Sequence, residues 1–103
     1  MVHAERIVRT EIENIDIEMK ERRADETISC IVKRSSDIRK AELDRAITKI
    51  KAGGDLEEVL DDMSRARVSK LLAKPFNRLK EASRDGRTDY CEIASDLFGV
   101  DGQ

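Results

Sequence analysis

The chain reads as an all-α protein, an extended helical domain of about four to five helices led by a long N-terminal helix. Three observations predict this. Charged residues are 41% of the 103 and aromatics only 3% (Phe76, Phe98 and Tyr90), with no Trp, so the large side chains that usually fill a globular core are scarce. The strong helix formers Ala, Leu, Glu, Lys and Arg dominate. Apolar residues recur at helical spacing, and a single proline with no alternating β-branched run speaks against a sheet. A chain this short with narrow apolar stripes is marginal alone, and oligomerisation is a usual remedy. Composition by itself therefore favours a self-associating module.

The spacing predicts a first helix over residues 2–23. Val8, Ile12, Ile15 and Met19 stand four, three and four apart, a heptad-like seam that serves equally as an interface or as an ordinary packing stripe. Glu5 with Arg9, Asp16 with Lys20 and Glu18 with Arg22 are acid-before-base pairs four apart, each worth about 0.2–0.5 kcal/mol. No capping residue precedes Ala4, and a helix without a start signal reads as part of a longer one. A soft break is expected at Ala24-Asp25, where Asp25 can cap a second helix. Its apolar positions, from Ile28, Ile31 and Val32 through Ile38, Leu43, Ala46, Ile47 and Ile50, run to Lys51, interrupted by Ser35 and Ser36. Gly53-Gly54 then stops the chain, since glycine adopts the left-handed turn that ends helices.

Asp55 with Glu58 three residues later has the form of a capping box. Leu56, Val59, Leu60, Met63, Ala66, Leu71 and Leu72 carry the helix it starts. Lys74-Pro75 is expected to bend or restart that helix, because the residue before proline avoids the α region. Phe76, Leu79 and Ala82 share a face of the next segment, and Asp85-Gly86 signals a turn. Thr88 can cap a last helix with Tyr90, Ile93, Ala94, Leu97 and Phe98 turned inward, stopped at Gly99.

The chemistry-bearing residues are few. Cys30 and Cys91 have neither CxxC spacing nor a neighbouring histidine, and His3 is the lone imidazole, so a zinc site and a thiol nucleophile are both disfavoured. Both cysteines read as reduced, buried or half-buried structural residues. Gly53-Gly54 is no phosphate loop: neither GxxxxGK[ST] nor GxGxxG is present, and the acidic turn that follows would repel phosphate. No catalytic, cofactor-binding or metal residue is assigned. The net charge of −2 argues against a general polyanion binder. No stretch has the length and apolarity to span a bilayer, no apolar leader opens the chain, and a cytoplasmic protein is expected.

Charge is uneven, however. Residues 55–62 hold five acids and no base, whereas residues 65–87 hold eight bases against Glu81 and Asp85. One reading is a patch that meets tRNA phosphates through Lys70, Lys74, Arg78 and Lys80. The other, which the residues favour, is complementation of the helix macrodipole with a solvated face beyond, because no aromatic platform for stacking a base accompanies the patch.

Three segments, "DIRKAELDRAI", "SRARVSKLLAKPFNRLKEAS" and "ASDLFGV", resemble the C-terminal tail of glutamyl-tRNA reductase. The resemblance covers about residues 4–100 and is most specific over 38–100. It implies a dimeric helical bundle that is the dimerization domain of that enzyme, with residues 1–23 as the distal end of its long spinal helix and residues 24–103 as the dimerization domain. Where relatives often carry Val-Pro at the start of the second helix, this chain has Asp25-Glu26. The whole enzyme, by resemblance, reduces glutamyl-tRNA with NADPH to glutamate 1-semialdehyde at the head of tetrapyrrole synthesis. This piece would join two copies and hold no active site and no cofactor, since the family's cysteine nucleophile lies in a different domain. Leu71, Leu72, Phe76, Leu79, Ile93, Leu97 and Phe98 are the expected core or dimer interface. A free-standing tRNA-binding or regulatory module built on Arg65–Arg87 is the alternative. A docking face for the next enzyme of the pathway is a weaker one.

Overall fold

The computed structural model describes the backbone of residues 2–100 and the side chains of residues 9–100. Among them the chain forms three α-helices: α1 (Val2–Lys51), α2 (Leu56–Arg84) and α3 (Asp89–Phe98). The all-α class holds, and the count is three rather than four to five. Two expected interruptions are absent. At Ala24-Asp25 the helix runs on, because neither residue is a glycine or proline and Ala is the best helix former. Thr27, which could have competed for the backbone, instead donates its hydroxyl to the Arg23 carbonyl one turn back at 3.1 Å. At Pro75 α2 also continues, without a restart. The missing N–H there leaves one carbonyl, that of Leu71, without its helical donor.

The helix ends follow the sequence closely. Asp55 accepts a bond from the Glu58 N–H at 3.1 Å and starts α2 as its N-cap. Gly53 has φ +94°. Its N–H bonds the Ile50 carbonyl at 3.0 Å and the Gly54 N–H bonds that of Lys49 at 2.9 Å, the paired bonds of a Schellman stop. Gly54 is needed for room: a Cβ there would lie 2.9 Å from the Lys49 oxygen and 3.2 Å from a Val59 methyl. The same pair of bonds ends α2 at Gly86 and α3 at Gly99. Thr88 takes the N-cap position of α3, but its hydroxyl makes no capping bond and its backbone is already helical.

Two compact units are distinguishable, residues 1–37 and residues 38–103. Among the described residues of the first, α1 is the one secondary-structure element. Ile12, Ile15 and Met19 are all more than half exposed, as are Ile28, Ile31 and Val32. Asp16 and Lys20 pair at 2.8 Å, whereas Glu18 and Arg22 do not pair, in line with the small value of exposed ion pairs. Val8 of the seam, and the side chain of Glu5 that would meet Arg9, lie outside the described side chains. Among the described residues no helix is long and apolar enough to cross a membrane.

In the second unit α2 divides its surface between two neighbours. Val59, Met63, Ala66 and Lys70, spaced four, three and four, face the C-terminal part of α1 at Glu42, Ala46 and Lys49. Pro75 and Leu79 face Ala94 and Phe98 of α3. From Lys70 to Pro75 is five residues, which places the second stripe about 140° round the helix from the first. Among the described residues the buried apolar ones are Ala46, Val59 and Ala82, and no side chain is less than 2% exposed. Native domains of this size normally enclose whole Leu, Ile or Phe side chains. Here the apolar interior consists of two alanines and a valine.

The caps give a direct test. Asp55→Ala should lower stability by about 1 kcal/mol, the usual cost of losing a capping side chain, whereas Thr88→Ala should cost only a few tenths (about 0.3 kcal/mol). Urea unfolding of both variants at one protein concentration, followed by circular dichroism, would show the difference.

Candidate functional site

Within residues 38–103 the two ends of α2 differ in kind. Against α1 the contact is small and polar. Glu42 is 5% exposed and receives hydrogen bonds from the Lys70 ammonium of α2 and, at 3.4 Å, from Arg45 on its own helix. A buried carboxylate without such donors would be strongly unfavourable. The Lys70 hydrogen bond holds the Glu42 carboxyl below its ordinary value of 4.5, burial opposes this, and the charges of Lys70, Arg45 and Lys49 add to the lowering. The pair therefore fixes α2 against α1 at a position where apolar contact is thin. Sequence reading passed over Glu42. The signal was its place in the apolar stripe, four after Ile38 and four before Ala46.

Against α3 the contact is apolar and open. Ala82 is buried and Leu79, Ala94 and Ser95 are half-buried. Two grooves of about 430 Å³ each flank the line of contact. One is lined by Pro75, Leu79, Tyr90, Ile93, Ala94, Leu97 and Phe98, with Arg78, Arg87 and Asp89 on its rim. The other is lined by Pro75, Phe76, Leu79, Cys91, Ala94, Ser95, Phe98 and Val100. Leu97 is 77% exposed and Phe98 55%. The expectation that Tyr90, Ile93, Ala94, Leu97 and Phe98 point inward is corrected for the single chain: only Ala94 of the five is half-buried. The cause is geometric. A helix of ten residues leans on one half of α2, and among the described residues of this unit no further element covers its other face.

The seven residues expected at the core or interface thus divide. Leu71, Leu72 and Leu79 are half-buried, while Phe76, Ile93, Leu97 and Phe98 are exposed. Contiguous apolar exposure on this scale marks an interaction surface rather than a finished exterior. Leu56 and Leu60, taken from the sequence as part of the α2 stripe, are exposed as well. The cysteines are corrected too: Cys30 and Cys91 are exposed free thiols, with the Cys91 sulfur 3.5 Å from the Ser83 hydroxyl. The expected buried or half-buried placement does not hold for either, since the helix faces that carry them are open.

Acids occupy half of the basic stretch. Lys70 is held by Glu42, Arg65 pairs with Asp61 at 3.2 Å, Arg78 with Glu81 at 3.6 Å, and Arg87 with Asp89 at 3.7 Å. Arg87 also lies over the Tyr90 ring, 4.7 Å from its centre. Of the four residues considered for tRNA phosphate, Lys74 and Lys80 make no ion pair among the described residues, whereas Lys70 and Arg78 do. No group of three or more His, Cys, Asp or Glu is placed to hold a metal among the described residues.

A family profile described as glutamyl-tRNAGlu reductase, dimerisation domain, matches residues 3–100. Curated proteins named glutamyl-tRNA reductase are similar to the chain. One from Methanosarcina mazei is 33% identical over 102 residues, covering 95% of this chain and 23% of the relative. Another from Methanothrix thermoacetophila is 35% identical over 98 residues, covering 91% and 24%. A third from Pseudomonas fluorescens is 30% identical over 99 residues, covering 96% and 23%. The chain therefore spans about a quarter of the length of these relatives. No solved structure gives a significant match.

The Glu42 carboxylate yields a pH prediction. Its pKa is lower folded than unfolded, so its contribution is fully present above about 4.5 and is lost as the pH falls through the depressed folded value. Glu42→Gln should be less stable than the wild type at neutral pH, and the gap should close down an acid series below pH 4.5. Urea midpoints measured across that series would check it.

Proposed function

The chain belongs to the glutamyl-tRNA reductase dimerisation-domain family, and from that premise we propose that it holds two subunits of such an enzyme together through the uncovered faces of α2 and α3. The observation that carries this is the imbalance between interior and exterior. Two alanines and a valine are buried, while Phe76, Ile93, Leu97, Phe98 and Val100 form an exposed apolar surface around one end of α2. Apolar burial is the main force of association, and a second copy would cover what one chain leaves open. Residues 1–23 serve as the distal end of the spinal helix and 24–103 as the dimerisation domain.

The parent enzyme, on this reading, is a cytoplasmic oxidoreductase that uses NADPH to convert glutamyl-tRNA to glutamate 1-semialdehyde for tetrapyrrole synthesis. This stretch contributes assembly and no chemistry to it: it offers no glycine-rich nucleotide loop and no thiol beside a base. The 103 residues alone should therefore oxidise no NADPH when given glutamyl-tRNA, and steady turnover above the uncatalysed rate would reverse that conclusion.

Light scattering at micromolar concentration should give the mass of two copies. A folded monomer at that concentration would overturn the reading. Phe98→Ala and Phe76→Ala should act on association rather than on the single chain, because both rings are about half exposed within it. Each should weaken the dimer by about 2 kcal/mol if the ring is an interface anchor, with helicity retained in the dissociated chain, whereas Arg84→Ala should leave the dimer intact. Sedimentation equilibrium with parallel circular dichroism would separate these outcomes.

A further inference from the structure

The two ends of α2 carry opposite charge beside uncovered apolar residues. At its start Glu57 and Asp61 flank Leu60, within a run of five acids and no base, and Leu60 is exposed. Leu60 lies off the stripe that faces α1, which is Val59, Met63, Ala66 and Lys70. At the other end is the groove between α2 and α3, floored by Leu79, Ile93, Leu97 and Phe98 and rimmed by Arg78 and Arg87. Of Glu57, Asp61, Arg78 and Arg87, the last three already have partners in their own chain, Asp61 with Arg65 at 3.2 Å, Arg78 with Glu81 at 3.6 Å and Arg87 with Asp89 at 3.7 Å, but each of these pairs joins largely exposed side chains, weak bonds that a better partner displaces.

A single stripe joins these ends. Leu60, Ser64, Val68, Leu71, Pro75 and Leu79 follow one another at four, four, three, four and four residues, which keeps them on one side of the helix. The α3 helix occupies only the last part of this side, at Pro75 and Leu79. Nearer the start, Leu60 and Val68 remain exposed. Two copies of α2 laid antiparallel across this stripe, with a two-fold axis near Val68, bring the start of each helix beside the groove of the other. The contact is then self-complementary, with apolar meeting apolar and acid meeting base twice by one symmetry operation.

Resting on the proposed self-association, we infer that the groove between α2 and α3 receives the acidic start of a second copy's α2, its Leu60 over the apolar floor and its Glu57 and Asp61 against Arg78 and Arg87. The occupant is thus another copy of this chain, chosen by charge as well as by apolar area.

Charge reversal tests the arrangement. Glu57→Lys with Asp61→Lys makes one variant, and Arg78→Glu with Arg87→Glu makes a second. Each alone places like charges across the axis twice, and each homodimer should weaken by about tenfold. An equimolar mixture restores opposite charges at both contacts. Native mass spectrometry should then show heterodimers well above the statistical half, with an affinity close to that of the wild type. Intrachain costs of the substitutions enter homodimer and heterodimer alike, so the comparison isolates the contact between copies. If a reversal prevents folding, the neutral set Glu57→Gln, Asp61→Asn reads the same contact: wild-type dimer affinity should fall with added salt more steeply than that of the neutral variant. A statistical mixture, or equal salt dependence, in chains that still dimerise overturns the antiparallel arrangement and leaves the self-association standing. A monomeric wild type overturns both.

Discussion

The second unit depends on how α2 shares its circumference. One stripe is pinned to α1 by the buried Glu42–Lys70 pair, and another, about 140° round the helix, carries α3 through Pro75, Leu79 and Ala82. Neither contact encloses a large side chain. The polar one supplies direction: a buried carboxylate tolerates few positions other than the one that satisfies it, so α2 is set in register along α1 even though Ala46 and Val59 alone give little apolar contact. The apolar one supplies surface, because α3 is too short to cover what α2 presents.

That division explains why an exposed exterior coexists with well-defined helices. Long helices with Ala, Leu, Glu, Lys and Arg are locally favoured, their ends are capped at Asp55 and stopped at Gly53, Gly86 and Gly99, and each stop closes with two backbone bonds. Secondary structure is therefore specified without a core. What is left undone is apolar burial: in the second unit it is left undone around Phe76, Ile93, Leu97 and Phe98 and at Leu56, Leu60 and Val68, and in the first along Ile12, Ile15, Met19, Ile28, Ile31 and Val32. In the dimerisation-domain family to which the chain belongs, an unfinished apolar face has an evident use, since burial withheld from the monomer is burial available to the pair.

The basic stretch illustrates how tertiary placement reassigns charges that look alike in sequence. Lys70 and Lys74 are one turn apart, yet Lys70 reaches across to Glu42 and is half-withdrawn from solvent, whereas Lys74 stays unpaired among the described residues. Arg87 is taken up by Asp89 and the Tyr90 ring. A run of eight bases becomes a mixture of local ion pairs, one interhelical clamp and a few free cations, which is a weaker platform for phosphate than the sequence suggests.

Local physics was legible in the residues themselves. The all-α class, the Asp55 cap and the glycine stops depend on neighbours within a turn or two, and each holds in the structure. The expected breaks at Ala24-Asp25 and Pro75 failed for the same kind of reason in reverse. A possible helix start such as Asp25 costs little in a helix interior, and a single proline costs about 3 kcal/mol, which the continuous helix on both sides outweighs. What no spacing could reveal was which face of each helix is covered. That Glu42 lies inside and Phe98 outside, and that α2 turns one stripe to α1 and another to α3, depends on contacts between residues far apart in the chain. Helical periodicity marks an apolar side but carries no information on what lies against it, and only the arrangement of the helices in space decides that.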